Sequence, residues 1–430
     1  MTSREGRRVL IVSPFPPGGR PAHGGGNAIA QIAKSLSRRN RIALAYLRAQ
    51  DESEADASLA DHCDAIFESR RPGISGSSIR PLHRLPLLLP KVIAGHPLWV
   101  ASRWSPAFAR LLRRVAESWK PEIVQAEFGA MGVYLPAATR GGARTVVTFH
   151  DPEAPAATER AARSSGAERL MWTFEAMQWR TFGTWLLGSI DAAVAFTDRD
   201  ARALAAMREG SLIATVPLGV EIPPPVEDAG EPSPPLLLFV GNFNHPPNVD
   251  AARVLIDEVY PRLRDRHAEL EVALVGAGPP EWLRARASER IHVTGFVPDL
   301  AAMLRAATVF IAPLRHGGGM RLKVLDALAS GKATVGTSLA FEGTGAEHDR
   351  QVLVADDTDA MCAAVDRLLR DPVKRATLGR AARAHVAATL SWDRTAMLYE
   401  EVYDRVLSRH PLRAVSRLGD DTPGVKAGYR

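Results

Sequence analysis

The sequence lacks the features of disulfide-stabilised and membrane-spanning proteins. Its 430 residues include only two cysteines, Cys63 and Cys362, which lie far apart and show no metal-ligand spacing. This usage provides no disulfide framework and is typical of a reducing compartment. No uninterrupted apolar run approaches the roughly 18 residues of a membrane-spanning helix, and the run from Val9 to Val12 is too short for a signal peptide. We therefore expect a cytoplasmic protein with no membrane span.

The sequence is also poor in signals for metals and nucleic acids. No Asp-x-Asp pair occupies a suitable loop position, and Asp356-Asp357 follows a late strand and indicates a turn. No recognised nucleic-acid-binding module is present. We therefore predict no metal, no cofactor and no nucleic-acid partner.

Charge is the feature of the composition that indicates a partner. The net charge is +6, and the stretch from Arg70 to Lys120 contains ten Lys or Arg residues against the single acidic residue Glu117. Large apolar side chains are interleaved with these cations, at Leu82, Leu85, Leu87, Leu88, Leu89, Trp99 and Trp104. This combination favours a surface, within residues 70–120, that faces anionic lipid at the inner side of a membrane or a polyanionic acceptor. The alternative is a solvated face whose arginines cover a local core.

Short apolar strands alternate with amphipathic helical segments along the whole chain. This alternation predicts an α/β protein with parallel sheets covered by helices. The run EDAGEPSPP before residue 236 divides the strands and helices into two series. We predict two doubly wound Rossmann-like domains facing across a cleft. Their predicted bounds are 1–215 for the N-terminal domain, 216–235 for the linker, 236–390 for the C-terminal domain, 391–410 for a final helix that crosses back to the N-terminal domain, and 411–430 for a loose tail.

Ligands of doubly wound domains bind at the carboxyl ends of the strands. Polar and glycine residues follow several predicted strands, at HGGGN (23–27), Glu127, His150-Asp151, GNFNHPPN (241–248) and GFVPDL (295–300). In the first of these segments we expect a glycine loop before a helix that runs from Asn27 to Arg39, with Asn27 as its N-cap. Residues 158 to 187 are predicted to be helical.

Residues 313–337 combine the strongest signals in the chain. An apolar run ends at Pro313, three glycines follow at 317–319, and apolar residues recur at helical spacing until Ser330-Gly331. A glycine loop before a helix offers backbone N–H groups and the positive end of the helix dipole to phosphate. Arg321 and Lys323 lie beside the expected helix start, and Asp326 shares a helix face with Lys323. This pattern suits a nucleotide with its phosphates at the loop and its ribose on Asp326. An ordinary strand–helix turn with solvated charges is the alternative.

Taken together, these motifs resemble glycosyltransferases of the GT-B fold, and most closely the large retaining family 4. The resemblance rests on PFPPGGRPAHGGGNAIAQIAKSL, VVTFHDPEA, AVAFTDRDARAL and VPLGVE in the first half, and on FVGNFNHPPNVDAARVL, ALVGAGP, VTGFVPDL and APLRHGGGMRLKVLDALASGKATVGT in the second. It implies that the C-terminal domain binds a nucleotide-sugar. Relatives usually carry two glutamates eight positions apart across this loop and helix, whereas this chain has Gly318 and Asp326 there.

The resemblance also implies roles for individual residues. Arg321 and Lys323 become the partners of the diphosphate, and Asp326 the acceptor of ribose hydroxyls. Because Gly318 replaces the glutamate that usually contacts the donor sugar, backbone groups of the loop would supply part of that contact. The remaining implied substrate-binding residues are Gly24, Gly25, Gly26 and Asn27 at the donor phosphate, Phe296 and Val297 at the base, Asn242 on the opposite wall, and Gly318, Gly319 and Met320 at the sugar.

Three residues at strand ends of the first half are further candidates. His150 takes the place at which relatives often carry a histidine near the donor sugar, so we assign it to catalysis. Glu127 and Asp151 are weaker candidates for substrate binding, because carboxylates at strand ends often cap loops. The alternative for His150 is a histidine at the end of a strand whose hydrogen bonds are all made within the protein.

The function expected from the sequence is that of a glycosyltransferase. It would move a hexose from a nucleotide diphosphate sugar to an acceptor hydroxyl, with retention and without a metal, in cell-envelope polysaccharide or glycolipid synthesis. The acceptor would be lipid-linked or a polysaccharide. A non-catalytic GT-B protein that binds nucleotide-sugars or polysaccharides remains open, as does an NAD-dependent dehydrogenase, although HGGGN does not match G-x-G-x-x-G.

Overall fold

The computed structural model describes residues 6–18, 24–50, 52–71, 92, 95–224 and 233–408. They form two compact units, Met1–Pro217 with Thr395–Arg430, and Leu218–Arg394. Each unit is built on a parallel sheet with helices between successive strands, so the predicted α/β class with two doubly wound Rossmann-like domains is confirmed. Much of the basic segment, most of the acidic part of the linker and the C-terminal tail lie outside the described residues.

The first unit contains a sheet of seven parallel strands in the order β3-β2-β1-β4-β5-β6-β7. The strands are β1 (Arg8–Ser13), β2 (Arg41–Arg48), β3 (Ala65–Arg70), β4 (Ile123–Glu127), β5 (Arg144–Phe149), β6 (Ala192–Ala195) and β7 (Ile213–Thr215). Every residue of β4 and β6 is buried, as expected for strands covered on both faces. The edge strands β3 and β7 were not predicted. The charges of β3 and the three-residue length of β7 hid the apolar pattern of a strand.

The helices of the first unit begin and end at recognisable residues. They are α1 (Gly24–Leu36), α2 (Leu98–Arg103), α3 (Pro106–Trp119), α4 (Leu135–Ala138), α5 (Glu153–Arg163), α6 (Gly166–Leu187) and α7 (Asp198–Met207), with 3₁₀ turns at Ala57–Asp61 and Gly129–Tyr134. At α3, the Ser105 side chain accepts from the N–H of Phe108, and Lys120 ends the helix at a φ of 51°. The helical structure predicted over 158–187 is present, in two helices. Ser164 and Ser165 are extended and separate α5 from α6.

The second unit contains six parallel strands in the order β10-β9-β8-β11-β12-β13. The strands are β8 (Leu236–Val240), β9 (Glu271–Val275), β10 (Ile291–Gly295), β11 (Val309–Ala312), β12 (Thr334–Gly336) and β13 (Leu353–Val354). The helices are α8 (Pro246–Arg253), α9 (Tyr260–Arg264), α10 (Glu281–Arg284), α11 (Leu300–Ala306), α12 (Leu322–Ala329), α13 (Thr358–Arg370) and α14 (Pro372–Thr389), with a π turn at Val254–Val259 and a 3₁₀ turn at Ser338–Phe341. A last helix, α15 (Trp392–Leu407), belongs to the first unit from Thr395 onward.

The order of the strands reverses at one point in each sheet. In the first sheet β1 lies between β2 and β4, and in the second β8 lies between β9 and β11. Loops that leave β1 and β4, or β8 and β11, therefore diverge and open a crevice at the carboxyl edge of their own sheet. Within the described part of the chain, no helix is both long and apolar enough to cross a membrane.

Candidate functional site

The loop between β11 and α12 is held in shape by Arg321, which directly precedes the helix. Its buried guanidinium donates to the carbonyl oxygens of Gly319 and, at 2.8 Å, Gly317, and one of its nitrogens lies 3.6 Å from a carboxylate oxygen of Glu342. Gly317 and Gly319 have φ of 109° and 67°, in the left-handed region that favours glycine. These two hydrogen bonds of Arg321 fix the conformation of the loop just before the helix.

Lys323, in the first turn of α12, has a different environment. The residue as a whole is half-buried, and its amine donates to Oδ1 of Asn248 and lies 4.7 Å from the centre of the Phe239 ring. Within the described residues it forms no ion pair with a carboxylate. Burial, with a smaller contribution from Arg321, lowers the pKa of Lys323 to about 7. An amine with this environment is suited to an anionic ligand.

Asp326 follows one turn later on the same helix, with its side chain half-buried. Its carboxylate accepts no hydrogen bond from the described residues. Burial, and to a lesser degree the charge of Glu221, raises the pKa of Asp326 to about 7. The second unit thus holds an amine and a carboxyl three residues apart, both without an ionic partner in the described structure and with pKa values shifted in opposite directions.

The loop after β8 forms the other side of this crevice. The side chain of Asn242 accepts from the N–H of Asn244 at 3.0 Å, and its carbonyl accepts from Nδ2 of Asn248 at 2.7 Å. Asn248 therefore links this loop to Lys323. Close backbone contact fixes the place of the loop, because a Cβ at Gly276 would lie 1.9 Å from the carbonyl oxygen of Gly241.

The other residues predicted for the second unit lie on loops at the same edge of the sheet. Phe296 follows β10 and is 63% exposed, which leaves its ring available for stacking. Val297, next to it, is half-buried. Gly318 lies between the two glycines whose carbonyls bind Arg321. The sulfur of Met320 accepts from the N–H of Leu218 at 3.1 Å, so this side chain helps to anchor the loop.

In the first unit, a buried pair of residues joins the ends of β4 and β5. Nε2 of His150 lies 2.6 Å from Oε2 of Glu127, and the two side chains are 7% and 0% exposed. The ring of Phe128 stacks on the imidazole, with centroids 4.0 Å apart and planes at 11°. His150 is thus held by a carboxylate at one nitrogen and by an aromatic ring on one face. Asp151, the next residue, is half-buried and not part of this pair.

The predicted glycine loop at 24–26 is wrong, and so is the N-cap at Asn27. Helix α1 begins at Gly24, so these glycines form its first turn, and Asn27 is exposed inside the helix. Without a side chain, Gly25 lets this first turn pack closely against Phe128. A Cβ at Gly25 would lie 2.8 Å from the ring of Phe128, so glycine leaves room for the ring that stacks on His150. The helix still presents its first turn at the carboxyl edge of the first sheet.

Five residues in these sites were not singled out from the sequence. They are Phe239, Asn248 and Glu342 in the second unit, and Gln125 and Phe128 in the first. Asn248 carried a signal, since it closes the motif GNFNHPPN, and the prolines before it favour a helix start. Phe128 has a φ of 69°, which sequence patterns do not reveal for a phenylalanine. Among the described residues no cluster of His, Cys, Asp or Glu is arranged to hold a metal ion.

Comparison with known proteins yields two family models that together match most of the chain. The model "Glycosyltransferase Family 4" matches residues 22–222, and "Glycosyl transferases group 1" matches residues 234–371. Phosphatidyl-myo-inositol mannosyltransferase of Mycolicibacterium smegmatis is 32% identical over 182 residues, which cover 38% of this chain and 46% of that protein. Lipopolysaccharide core biosynthesis mannosyltransferase LpcC of Rhizobium leguminosarum bv. viciae is 27% identical over 261 residues, covering 56% and 72%. The chain thus spans about half the length of the first of these relatives.

Solved structures share the fold over nearly the whole chain. Sucrose-phosphate synthase of Thermosynechococcus elongatus superposes with a TM-score of 0.71 at 16% identity and covers 94% of this chain and 100% of its own. The Anabaena protein HepE, in complex with UDP and glucose, gives 0.62 at 14% identity and covers 94% and 99%. From the two family models and this fold, the chain belongs to the GT-B glycosyltransferases of group 1 and family 4 type.

Proposed function

We propose that this protein transfers a hexose from a nucleotide diphosphate sugar to an acceptor hydroxyl, with retention of configuration. The observation that carries the proposal is the pair formed by Lys323 and Asp326 on α12. This amine and this carboxyl lack ionic partners within the described residues and follow a glycine loop fixed by Arg321. The bound ligands of the Anabaena protein, UDP and glucose, are of the class that such a site suits.

The charges of the second unit match the leaving group of this reaction. The bond between the anomeric carbon and the diphosphate oxygen breaks, a bond to the acceptor oxygen forms, and the acceptor proton passes to the diphosphate. Lys323, Arg321 and the N–H groups at the start of α12 supply positive charge where negative charge develops. We therefore propose a metal-independent reaction in which the departing diphosphate takes the acceptor proton on the same face of the sugar.

Asp326 is the proposed acceptor of ribose hydroxyls. Its carboxylate lies one turn into the helix whose start would hold the phosphates, which corresponds to the distance between the ribose and the diphosphate of a nucleotide. Phe296 and Val297 are the proposed base-side contacts, and Asn242 with Gly318, Gly319 and Met320 the proposed donor-side contacts. His150 of the first unit is the proposed contact to the transferred sugar. Further proposed substrate-binding residues are Gly24, Gly25, Gly26, Asn27 and Asp151.

A thermal-shift screen with UDP-, GDP-, ADP- and dTDP-sugars tests the donor class. We expect one base to raise the melting temperature, and we expect a smaller rise at the same nucleotide concentration in Lys323→Met. The same nucleotide and its 2′-deoxy analogue should differ in affinity for the wild type and not for Asp326→Asn. Loss of the melting shift for every nucleotide diphosphate would contradict the proposal. The configuration of the product, read by NMR of the anomeric proton, tests retention.

The two alternatives give other outcomes. A non-catalytic binding protein would show the nucleotide shift without release of nucleotide diphosphate in the presence of any acceptor. The change Gly318→Glu, which restores the usual carboxylate, would then create no transfer either. A dehydrogenase would bind NADH and show no shift with nucleotide diphosphates.

Exposed apolar side chains on helix α6 indicate a surface for an apolar partner such as a lipid-linked acceptor. Five of its large apolar side chains are exposed, and most fall on one helix face: Leu170 (74%), Met171 (53%), Phe174 (46%), Met177 (56%) and Trp185 (47%). Such a concentration of exposed apolar groups on one helix is typical of an interaction surface. The exposed arginines Arg169 and Arg180 lie on the same helix. We therefore propose a lipid-linked or polysaccharide acceptor and contact with anionic lipid, through α6 and the basic segment 70–120, at the inner face of a membrane.

Co-sedimentation with vesicles containing phosphatidylglycerol tests the membrane contact. We expect binding that weakens with salt and that is lost in Phe174→Ser with Met177→Ser. The change Val373→Ser is the matched control, because Val373 is 74% exposed and lies on a different helix. Equal binding by both variants would remove α6 from the proposal.

A further inference from the structure

A chain of buried polar groups connects His150 to the last helix of the protein. The hydroxyl of Tyr403, on α15, donates to Oε1 of Gln125, and Nε2 of Gln125 donates to Oε1 of Glu127. The other carboxylate oxygen of Glu127 makes the 2.6 Å hydrogen bond to His150. Tyr403, Gln125 and Glu127 are each 0% exposed. Gln125 and Glu127 are two residues apart in β4, so their side chains lie on the same face of the sheet.

The direction of each hydrogen bond follows from the first. An amide side chain has one accepting end and one donating end. Because the Tyr403 hydroxyl donates to the oxygen of Gln125, the amino group of Gln125 must point to Glu127. The carboxylate of Glu127 then receives an N–H group at one oxygen. Its second oxygen completes the pattern of an ionised carboxylate by accepting the Nε2 proton of His150.

This arrangement leaves one ring nitrogen of His150 for a ligand. Among the described residues Nδ1 has no hydrogen-bond partner, and 7% of the side chain is exposed. With the proton on Nε2, Nδ1 of the neutral ring carries a lone pair and accepts hydrogen bonds. Phe128 stacks on the ring and limits its rotation.

We propose that Glu127, oriented by Gln125 and Tyr403, is a positioning residue that fixes the proton of His150 on Nε2 and so presents Nδ1 as an acceptor to a hydroxyl group of the transferred sugar. This inference rests on the proposed function of His150 and adds to it the atom that contacts the sugar. It also gives the last helix a part in the reaction. Tyr403, 278 residues after Gln125 in the sequence, sets the donor-to-acceptor direction of these hydrogen bonds.

The change Glu127→Gln tests the direction of the chain. Its new amide oxygen would face the amino group of Gln125, so its own amino group would face Nε2 and donate to it. The proton of His150 would then move to Nδ1, which could no longer accept. In ¹⁵N-histidine-labelled protein, NMR distinguishes the two tautomers, and His150→Gln assigns the signal. We expect the Nε2–H tautomer in the wild type, the Nδ1–H tautomer in Glu127→Gln, and a loss of kcat of roughly 100-fold, in the range of general acid–base and positioning effects, with nucleotide affinity unchanged.

Tyr403→Phe and Tyr399→Phe form a matched pair. Both tyrosines are 0% exposed on α15, but the hydroxyl of Tyr399 bonds to Thr148 at 3.1 Å, outside the chain to His150. We expect both variants to lower the melting temperature by similar amounts and only Tyr403→Phe to lower kcat. An unchanged tautomer in Glu127→Gln, or equal loss of kcat in the two tyrosine variants, overturns the proposal. If the wild type transfers no sugar, the proposed function fails, whereas the NMR signal still decides whether Glu127 fixes the tautomer.

Discussion

The amine of Lys323 lies over the ring of Phe239, 4.7 Å from its centre, in a crevice where no carboxylate of the described residues pairs with it. An aromatic face and one amide oxygen compensate only part of the free energy that burial of an ammonium group costs. The lowered pKa of Lys323, about 7, has this cause. A dianionic diphosphate would complete the compensation, so we expect its binding to offset the cost of burying this amine.

Replacement of Lys323 by methionine should therefore separate stability from binding. We expect Lys323→Met to melt at the same temperature as the wild type or higher, because a buried charge is exchanged for an apolar group of similar length. Nucleotide diphosphate affinity should fall roughly 10- to 100-fold, the value of a charge-assisted hydrogen bond. Scanning calorimetry and titration calorimetry measure the two effects.

Lys332 supplies the control for this prediction. Burial lowers its pKa as well, but its amine donates to the carbonyl oxygens of Arg305 and Ala307, both at 2.9 Å. The change Lys332→Met should lower the melting temperature, because it leaves those carbonyls with one partner fewer, and it should not alter nucleotide affinity. The opposite ranking of the two variants would assign Lys323 a structural role.

Nucleotide binding should make the protein take up a proton above pH 7 and release one below pH 7. Lys323 and Asp326 both have a pKa of about 7 in the free protein. A diphosphate favours the charged amine, so binding above pH 7 should take up a proton. Ribose hydroxyls that donate to Asp326 favour the carboxylate, so binding below pH 7 should release one.

Titration calorimetry in buffers of different ionisation enthalpy measures this exchange. We expect uptake of up to about one proton per nucleotide at pH 8 and its disappearance in Lys323→Met. The release near pH 6 should disappear in Asp326→Asn. A binding enthalpy that does not depend on the buffer at either pH would show that neither group contacts the ligand.

A single added methyl group at Gly276 should destabilise the second unit. Gly276 has a φ of 146°, and a Cβ there would lie 1.9 Å from the carbonyl oxygen of Gly241. We expect Gly276→Ala to lose roughly 3 kcal/mol or more of unfolding free energy through steric overlap and backbone strain. Because Gly241 begins the loop that bears Asn242, nucleotide affinity should fall as well.

Gly210→Ala separates strain from overlap. Gly210 has a φ of 79°, but a Cβ there would meet nothing within 4 Å. This variant should lose only about 1 kcal/mol, the cost of the left-handed conformation alone. Chemical denaturation measures both variants, and equal losses would show that overlap with Gly241 is relieved by a small shift of the backbone.

The sequence predicted those parts of the fold that depend on local patterns. Fully apolar runs predicted strands such as β6 and β11, and Thr197 predicted a helix start; the structure contains all three. The edge strand β3 was not predicted because charged side chains on one of its faces interrupt the apolar pattern, and an edge strand tolerates such charges.

The site was predictable only as a set of loops. The positions of Lys323 and Asp326 on one helix face follow from helical spacing, but the partner of Lys323, Asn248, lies 75 residues away in the sequence. Likewise, glycines at 24–26 predicted a loop on local grounds, whereas the structure places them in the first turn of α1, where Gly25 packs closely against the ring of Phe128. Such contacts depend on how distant segments pack, and no periodicity encodes them.

Glu153, at the start of α5, should make stability depend on pH. Its Oε1 is buried without a hydrogen-bond partner, and Trp179 and Phe182 line the small cavity beside it. Burial raises the pKa of Glu153 to about 8. Between about pH 4.3, the usual value for an unfolded chain, and pH 8, the folded protein therefore binds more protons than the unfolded chain. The contribution of Glu153 to the free energy of unfolding falls as the pH rises through this window. The full cost of burying the ionised carboxylate is reached above pH 8.

Glu153→Gln cannot ionise and should lack this dependence. We expect its melting temperature to match the wild type near pH 5, where Glu153 is protonated, and to exceed it at pH 8.5. The exposed Glu117 provides the control, and Glu117→Gln should follow the wild type throughout. Calorimetric scans from pH 5 to pH 9 make the comparison. Parallel curves of melting temperature against pH for wild type and Glu153→Gln would contradict this prediction. They would mean that the folded and unfolded states bind equal numbers of protons at Glu153. The carboxyl group would then have to be reached by water or by a rearranged side chain.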